Sequence, residues 1–175
     1  MRNLVILGGG YGGVKVLTGL LGLALPDDLQ IILVDKNPYQ SYKTEFHTIV
    51  AGTKADVDVR SPFPAHEQVE YEFGEVKSIN LETQEVYFRD KSKIIRYDYL
   101  VIALGCEDAY HGIEGAEKYT ESVQSCSKAR RAGLAVQNLK AYGKVSVVGA
   151  GLSGIEVASE TRESLPDLNI RLLDR

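Results

Sequence analysis

Two glycine clusters hold the residues most able to do chemistry. Gly8-Gly9-Gly10-Tyr11-Gly12-Gly13 places Gly8, Gly10 and Gly13 in the spacing G-x-G-x-x-G, and Gly149-Ala150-Gly151-Leu152-Ser153-Gly154 repeats it at Gly149, Gly151 and Gly154. The first glycine of such a pattern permits a tight turn, the second leaves room for a diphosphate against the backbone, and the third lets a helix pack closely on a strand. A helix that starts there offers unpaired N–H groups and a partial positive charge to phosphates. An acid follows each cluster, Asp35 22 residues after Gly13 and Asp174 20 residues after Gly154. A carboxylate at that distance accepts from ribose hydroxyls and repels a 2′-phosphate. Arg175, beside Asp174, is the one feature that could instead receive a 2′-phosphate. A single glycine pattern is weak, since such a turn can be merely structural. Two copies with their acids imply two dinucleotides. A nicotinamide nucleotide moves two electrons as a hydride and a flavin can accept that hydride, so the pair suits a relay.

The elements that must position these residues can be read from the apolar pattern. Asn3 to Leu7 is a continuous apolar run, as expected of a buried parallel strand, and Val14 to Leu25 has a broad helical face stopped at Pro26-Asp27-Asp28. Gln30 to Val34 is a second buried strand closed by Asp35, which completes a βαβ unit. Between 36 and 66 only Thr44 to Val50 has helical character, and Pro62-Phe63-Pro64 marks a loop. Val69 to Ile79, Glu85 to Arg89 and Lys93 to Tyr97 are expected to form a three-stranded meander, with a polar turn at Asp90 to Ser92. Tyr99 to Leu104 returns as a buried strand, residues 105 to 120 are loop-like, and Ser125 to Tyr142 has helical spacing. A second unit follows with a strand at Lys144 to Val148, a helix at Leu152 to Ser164 and a strand at Asn169 to Leu173.

Bulk properties narrow the partners. The 175 residues are 44% hydrophobic and 25% charged, and the net charge of −4 gives no basic stripe for nucleic acid or an anionic membrane. The most apolar stretch is about half the length of a membrane-spanning helix, and no secretory signal is evident, so a cytoplasmic location is expected. Cys106 and Cys126 are expected to be reduced thiols, with Cys106 buried as a small apolar residue.

The segments LVILGGGYGG, IVAGT ending at Thr53, YDYLVIALG at Tyr97 to Gly105, GIEGA at Gly112 to Ala116 and VVGAGLSGIEVASE at Val147 to Glu160 together resemble the pyridine nucleotide-disulfide reductase superfamily. Within it, the chain is most similar to the type II NADH dehydrogenase branch, particularly the NADH dehydrogenase-like proteins of Bacillus and its relatives. The resemblance implies an α/β fold of the Rossmann-like FAD/NAD(P)-binding three-layer type, a parallel sheet with a β-meander. It places an FAD domain over residues 1–110 and the start of an NAD(P)H domain over 111–175. It also implies an FAD-dependent NADH oxidoreductase that passes hydride from NADH to flavin and on to a quinone or other acceptor. Such proteins continue well past this point, so the chain reads as an N-terminal fragment, inactive alone, whose full-length form could lie peripherally on a membrane. A homodimer is compatible with this reading.

Carried over by position, the resemblance puts Gly8, Gly10, Gly12 and Gly13 at the FAD diphosphate, Asp35 and Lys36 at the adenosine ribose, and the Val76 backbone at the adenine. Ala103, Leu104 and Gly105 match a turn over the FAD, where Leu104 replaces the usual threonine and leaves only backbone roles. Gly149, Gly151 and Gly154 would face NADH phosphates, Asp174 the NADH ribose, and Glu156 and Glu160 the nicotinamide side, with Glu160 the candidate catalytic acid. Tyr11 and Leu152 complete the two nucleotide-binding sets, and Lys43 is a candidate for the flavin pyrimidine.

Plainer readings stand beside these. Tyr11 could be packing, Lys43 a surface lysine, and Glu160 a helix-surface acid in a charged run with Arg162 and Glu163. His47, His66 and His111 lack metal-ligand spacing. The competing function is a non-catalytic dinucleotide-binding module. A single-site dehydrogenase would need a Tyr-Lys or His-Asp pair in a substrate domain, and no such constellation is present.

Overall fold

A computed structural model describes residues 1–90 and 92–174. Along the chain, the elements of the first half are β1 (Arg2–Leu7), α1 (Tyr11–Leu21), β2 (Leu29–Asp35), β3 (Gln40–Ser41), α2 (Phe46–Ala51), β4 (Arg60–Ser61) and β5 (Val69–Phe73). There follow β6 (Val76–Asn80), β7 (Glu85–Phe88), β8 (Ile94–Arg96), β9 (Tyr99–Ile102), α3 (Ala116–Tyr119), α4 (Cys126–Gln137), β10 (Lys144–Val148), α5 (Leu152–Ser164) and β11 (Asn169–Leu173). They divide into two compact units, residues 1–40 with 61–105, and residues 41–60 with 106–175.

In the first unit four strands form a parallel sheet in the order β5-β2-β1-β9, and β6-β7-β8 form an antiparallel meander. Side chains alternate across a strand, so apolar runs furnish two cores at once. Ile6, Ile31 and Leu33 point to one face and pack with Leu17 of α1. Val5, Leu7, Ile32 and Val34 point to the other and pack with Val86, Phe88, Ile95 and Tyr97. Helix, sheet and meander therefore make the three layers expected. Each of these fully buried side chains contributes about 1.5–3 kcal/mol.

Two local expectations are corrected here. Helix α1 ends at Leu21 with Gly22 as its cap, before the Pro26 stop, because glycine terminates a helix more readily than the leucines after it extend one. Leu25 still packs on the α1 core from outside the helix. The run Val69 to Ile79 is two strands: Gly74 bonds back to the Asp35 carbonyl at 2.9 Å, β5 joins the parallel sheet beside β2, and only β6 belongs to the meander.

In the second unit β10 and β11 pair in parallel, with α5 as their connection. Phe46, Ile49 and Val50 of α2 form a core with Val59, Cys126, Ala129, Ala132 and Val157. A Cβ at Gly133 of α4 would lie 2.6 Å from the Ile49 carbonyl, so a glycine there lets α4 close on α2. This apolar face groups residues 41–60 with the second unit, where a single division at 110/111 would have put them in the first. α3 falls within the stretch expected to be loop, and α4 stops at Gln137, short of Tyr142. Among the described residues no helix is long and apolar enough to cross a membrane.

Candidate functional site

Both glycine bends are built the same way. Gly8 has φ +102 and Gly149 φ +103, a conformation that costs any other residue strain. Gly8 N–H donates to the Val34 carbonyl at 2.7 Å, and Gly149 N–H donates to the Leu173 carbonyl at 2.8 Å, so each bend is tied to the end of the neighbouring strand. A Cβ on Gly13 would sit 1.8 Å from the Gly8 carbonyl oxygen, and one on Gly154 1.9 Å from the Gly149 oxygen. Only glycine permits that helix-to-strand approach.

The helices that leave the bends lack side-chain caps. α1 starts from Gly10 and α5 from Gly151, and neither has a side-chain cap or an acid in its first turn among the described residues. α4 shows the ordinary solution, with Ser125 accepting from Lys128 N–H. No described atom lies within 4 Å of a Cβ built on Gly10 or Gly151, so space remains beside the start of each helix. An uncapped N-terminus with open space and no acid in its own first turn suits an anion, and a diphosphate fits this cradle chemically.

Around the first bend, the structure gathers several expected residues at the C-terminal ends of β1, β2 and β9. Asp35 accepts Gly9 N–H at 2.7 Å through Oδ2 and Asn37 N–H at 2.8 Å through Oδ1. Ala103 N–H donates to the Leu7 carbonyl at 2.7 Å, its own carbonyl lies against Gly8, and its methyl would lie 3.7 Å from a Cβ on Gly12. Leu104 is exposed and Gly105 follows at φ +79. Lys36 is exposed after β2, Val76 opens β6, and Tyr11, the first residue of α1, is 45% exposed.

Around the second bend, Leu152 is 75% exposed as the first residue of α5, and Asp174 is exposed just past β11. Glu156 and Glu160 turn toward the α2 segment: Glu156 Oε2 is 3.9 Å from His47 Nδ1, and Glu160 Oε1 accepts from the Thr53 hydroxyl at 2.6 Å. Lys43 is exposed in a 3-10 turn before α2, in the second unit. Arg175, weighed for a 2′-phosphate, lies outside the described residues, as does Lys91 in the Asp90 to Ser92 turn.

Cys106 is exposed, contrary to the expected burial, because the chain leaves the sheet at Gly105 and carries the thiol outward. Its Sγ donates to Gln124 Oε1 at 3.8 Å, while Cys126 is buried in the second core.

Some residues at the site carried little signal in the sequence. Phe63 covers Gly9: a Cβ there would meet the ring at 2.5 Å, and the ring stacks on Tyr71 with centroids 5.3 Å apart and planes 9° from parallel. Tyr71 donates its hydroxyl to the Pro64 carbonyl, which fixes the stack. The glycine at position 9, which the motif does not require, was the one sign of so close a neighbour. In the second unit, Asp108 accepts from Ser122 Oγ at 2.8 Å and from Lys128 Nζ at 2.6 Å, anchoring the segment before α4. Burial pushes the Asp108 carboxyl up, but these hydrogen bonds outweigh it and hold the group below the usual carboxylate range.

Residues 2–174 match the family described as pyridine nucleotide-disulphide oxidoreductase. The chain is 46% identical over its whole length to the NADH dehydrogenase-like protein YutJ of Bacillus subtilis, of which it covers 49%. It is 29% identical over 181 residues to the type II NADH:quinone oxidoreductase of Staphylococcus haemolyticus, with 95% of this chain and 44% of the relative covered. Among solved structures, the sulfide:quinone oxidoreductase of Aquifex aeolicus is similar with a TM-score of 0.72 at 28% identity, over 85% of this chain and 34% of that one. The chain thus spans about half the length of the curated relatives it matches. With a family match across nearly every residue and the same bend built twice, the chain belongs to the pyridine nucleotide-disulphide oxidoreductase family.

Proposed function

We propose that this chain supplies the first dinucleotide site and the opening of the second in an NADH-oxidising flavoprotein, with FAD at the Gly8–Gly13 bend and NADH at the Gly149–Gly154 bend. The observation that carries the reading is the duplicated bend with an uncapped helix behind it. When bound, the two groups supply hydride transfer from nicotinamide to flavin and release of the electrons to a quinone or another acceptor.

The residues of the chain bind and orient. Backbone N–H groups at the start of α1 and α5 receive the diphosphates, and Asp35 and Asp174 accept from the riboses. Asp35 is already aligned by its bonds to Gly9 and Asn37, which leaves its outer lone pairs to sugar hydroxyls. Glu156 and Glu160 belong to the nicotinamide side. Catalysis on this reading is mainly alignment, for which no general acid or base is needed in the first half-reaction. The site lies in the cytoplasm, with the longer protein peripheral on a membrane if its acceptor is a quinone.

The test uses the natural-length protein: a yellow preparation with flavin absorption bands that bleach on addition of NADH is expected, and a colourless protein or one whose flavin ignores NADH rules the reading out. For the 175 residues alone, a nucleotide-binding module is the second reading, which the duplicated bend supports equally. Titration of the chain with FAD and NADH separates the two, since binding without turnover is the module's signature.

A further inference from the structure

We propose that Thr53 is a positioning residue for the second nucleotide, orienting the Glu160 carboxylate so that one oxygen is engaged and the other is left to accept from the nicotinamide carboxamide. This rests on the reading above, in which Glu160 belongs to the nicotinamide side.

Glu156, Glu160 and Ser164 recur one turn apart on α5 and form a polar stripe. Each meets the α2 segment. Glu156 faces His47, Glu160 accepts from Thr53, and Ser164 Oγ donates to the Ala51 carbonyl at 3.2 Å. The α2 segment is itself held from behind by the close approach of Gly133 on α4. Gly52, at φ +79, ends α2 and turns the chain so that Thr53 N–H returns to the Thr48 carbonyl at 2.9 Å. The Thr53 backbone is thereby fixed before its side chain acts.

The Thr53 hydroxyl has one proton and two acceptors in range. The Glu160 carboxylate at 2.6 Å outcompetes the Thr48 carbonyl at 3.4 Å, as a charged acceptor in a short bond should. Glu160 Oε2 has no hydrogen-bond partner among the described residues. The neighbouring cation makes no hydrogen bond to it: Lys54 Nζ is bound to Glu45 at 2.8 Å, which is the main reason the lysine's pKa is raised, and Glu160 acts on it only through space and more weakly. A neutral hydroxyl thus orients the carboxylate while its charge stays available to an amide N–H donor.

Thr53 is exposed, so replacing it leaves the core intact. In the natural-length, FAD-loaded protein, Thr53→Val is expected to raise the NAD⁺ dissociation constant measured by calorimetry, and the KM for NADH, by about 10-fold, the scale of one hydrogen bond to a charged group. The kcat and the FAD content should hold, and Thr53→Ser should restore the affinity. Unchanged NAD⁺ affinity in Thr53→Val while Glu160→Gln loses it overturns the positioning role and leaves the reading of Glu160 standing. Unchanged affinity in Glu160→Gln removes that reading and the proposal with it. A Thr53→Ser variant as impaired as Thr53→Val also overturns the proposal, by assigning the effect to the methyl group.

Discussion

Behind Gly8 lies the Ala103 carbonyl, 2.2 Å from where a Cβ would be, and over Gly9 lies the Phe63 ring, whereas nothing described lies within 4 Å of a Cβ on Gly149 or Gly151. The backbone bonds of the two bends are otherwise matched, Gly8 to Val34 with Gly149 to Leu173, and Val14 to Gly10 with Ile155 to Gly151. The bend is thus a local device that strand, glycines and helix make for themselves. Its buttress is tertiary and comes from distant segments. The first bend has its shape set before any ligand arrives, which lowers the ordering cost of binding, and among the described residues the second is held by its own strand, glycines and helix.

That contrast can be broken most directly at the first glycine of each bend. Gly8→Ala combines a forbidden φ with a clash against backbone and should cost about 4 kcal/mol, while Gly149→Ala meets only the φ strain and should cost about 2 kcal/mol. Urea midpoints of the two variants measure this, and equal losses would show that the buttress does not matter. Gly13→Ala and Gly154→Ala sharpen the comparison from the other side. Their clashes are nearly identical, at 1.8 and 1.9 Å, so both should lose about 3 kcal/mol.

The buttress has its own test. Phe63→Ala should cost about 2 kcal/mol for a half-buried ring, and Gly9→Ala should be clearly destabilising with Phe63 present and much less so without it, when only the 3.3 Å approach to Asp35 Oδ2 remains, a coupling a double-mutant cycle reads. At the second glycine of each bend, Gly10→Ala and Gly151→Ala should change stability by no more than about 0.5 kcal/mol while, on the proposed reading, weakening the nucleotide at their own bend alone, as separate FAD and NADH titrations would report.

The smallest effect concerns acid. Because the folded Asp108 carboxyl is held below its ordinary range, the unfolded chain binds more protons between the two values. The stabilisation is therefore complete above about pH 4 and fades as pH falls through the folded value. Asp108→Asn should flatten that part of the acid limb in urea midpoints between pH 5 and pH 3, taken in steps of about 0.5.

The bends were legible because their rules are short-range. Gly8, Gly13, Gly149 and Gly154 answer to atoms within five residues or in the adjoining strand, and the second unit's β10, α5 and β11 match the expected bounds. The buttress was not legible. Phe63 reaches Gly9 from 54 positions away, and Pro62-Phe63-Pro64 reads as loop whatever its ring touches. The split at Gly74 was hidden for a related reason: both halves of Val69 to Ile79 are strand-like, and only partner choice, β2 for one and β7 for the other, separates them. The placement of α2 depends on α4 and α5, more than 70 residues downstream, and no local pattern around Phe46 announces them.

The excursion from residue 41 to 60 has a consequence for how this chain can be cut or recombined. The backbone passes between the two units at 40/41, 60/61 and 105/106, so no single break releases either one whole. A crossover at any one site hands a chimera a half-furnished partner. Exchange of the second unit between relatives has to move two separated stretches together, and a gene for the first unit alone must splice Gln40 to Ser61, where β3 and β4 already run side by side.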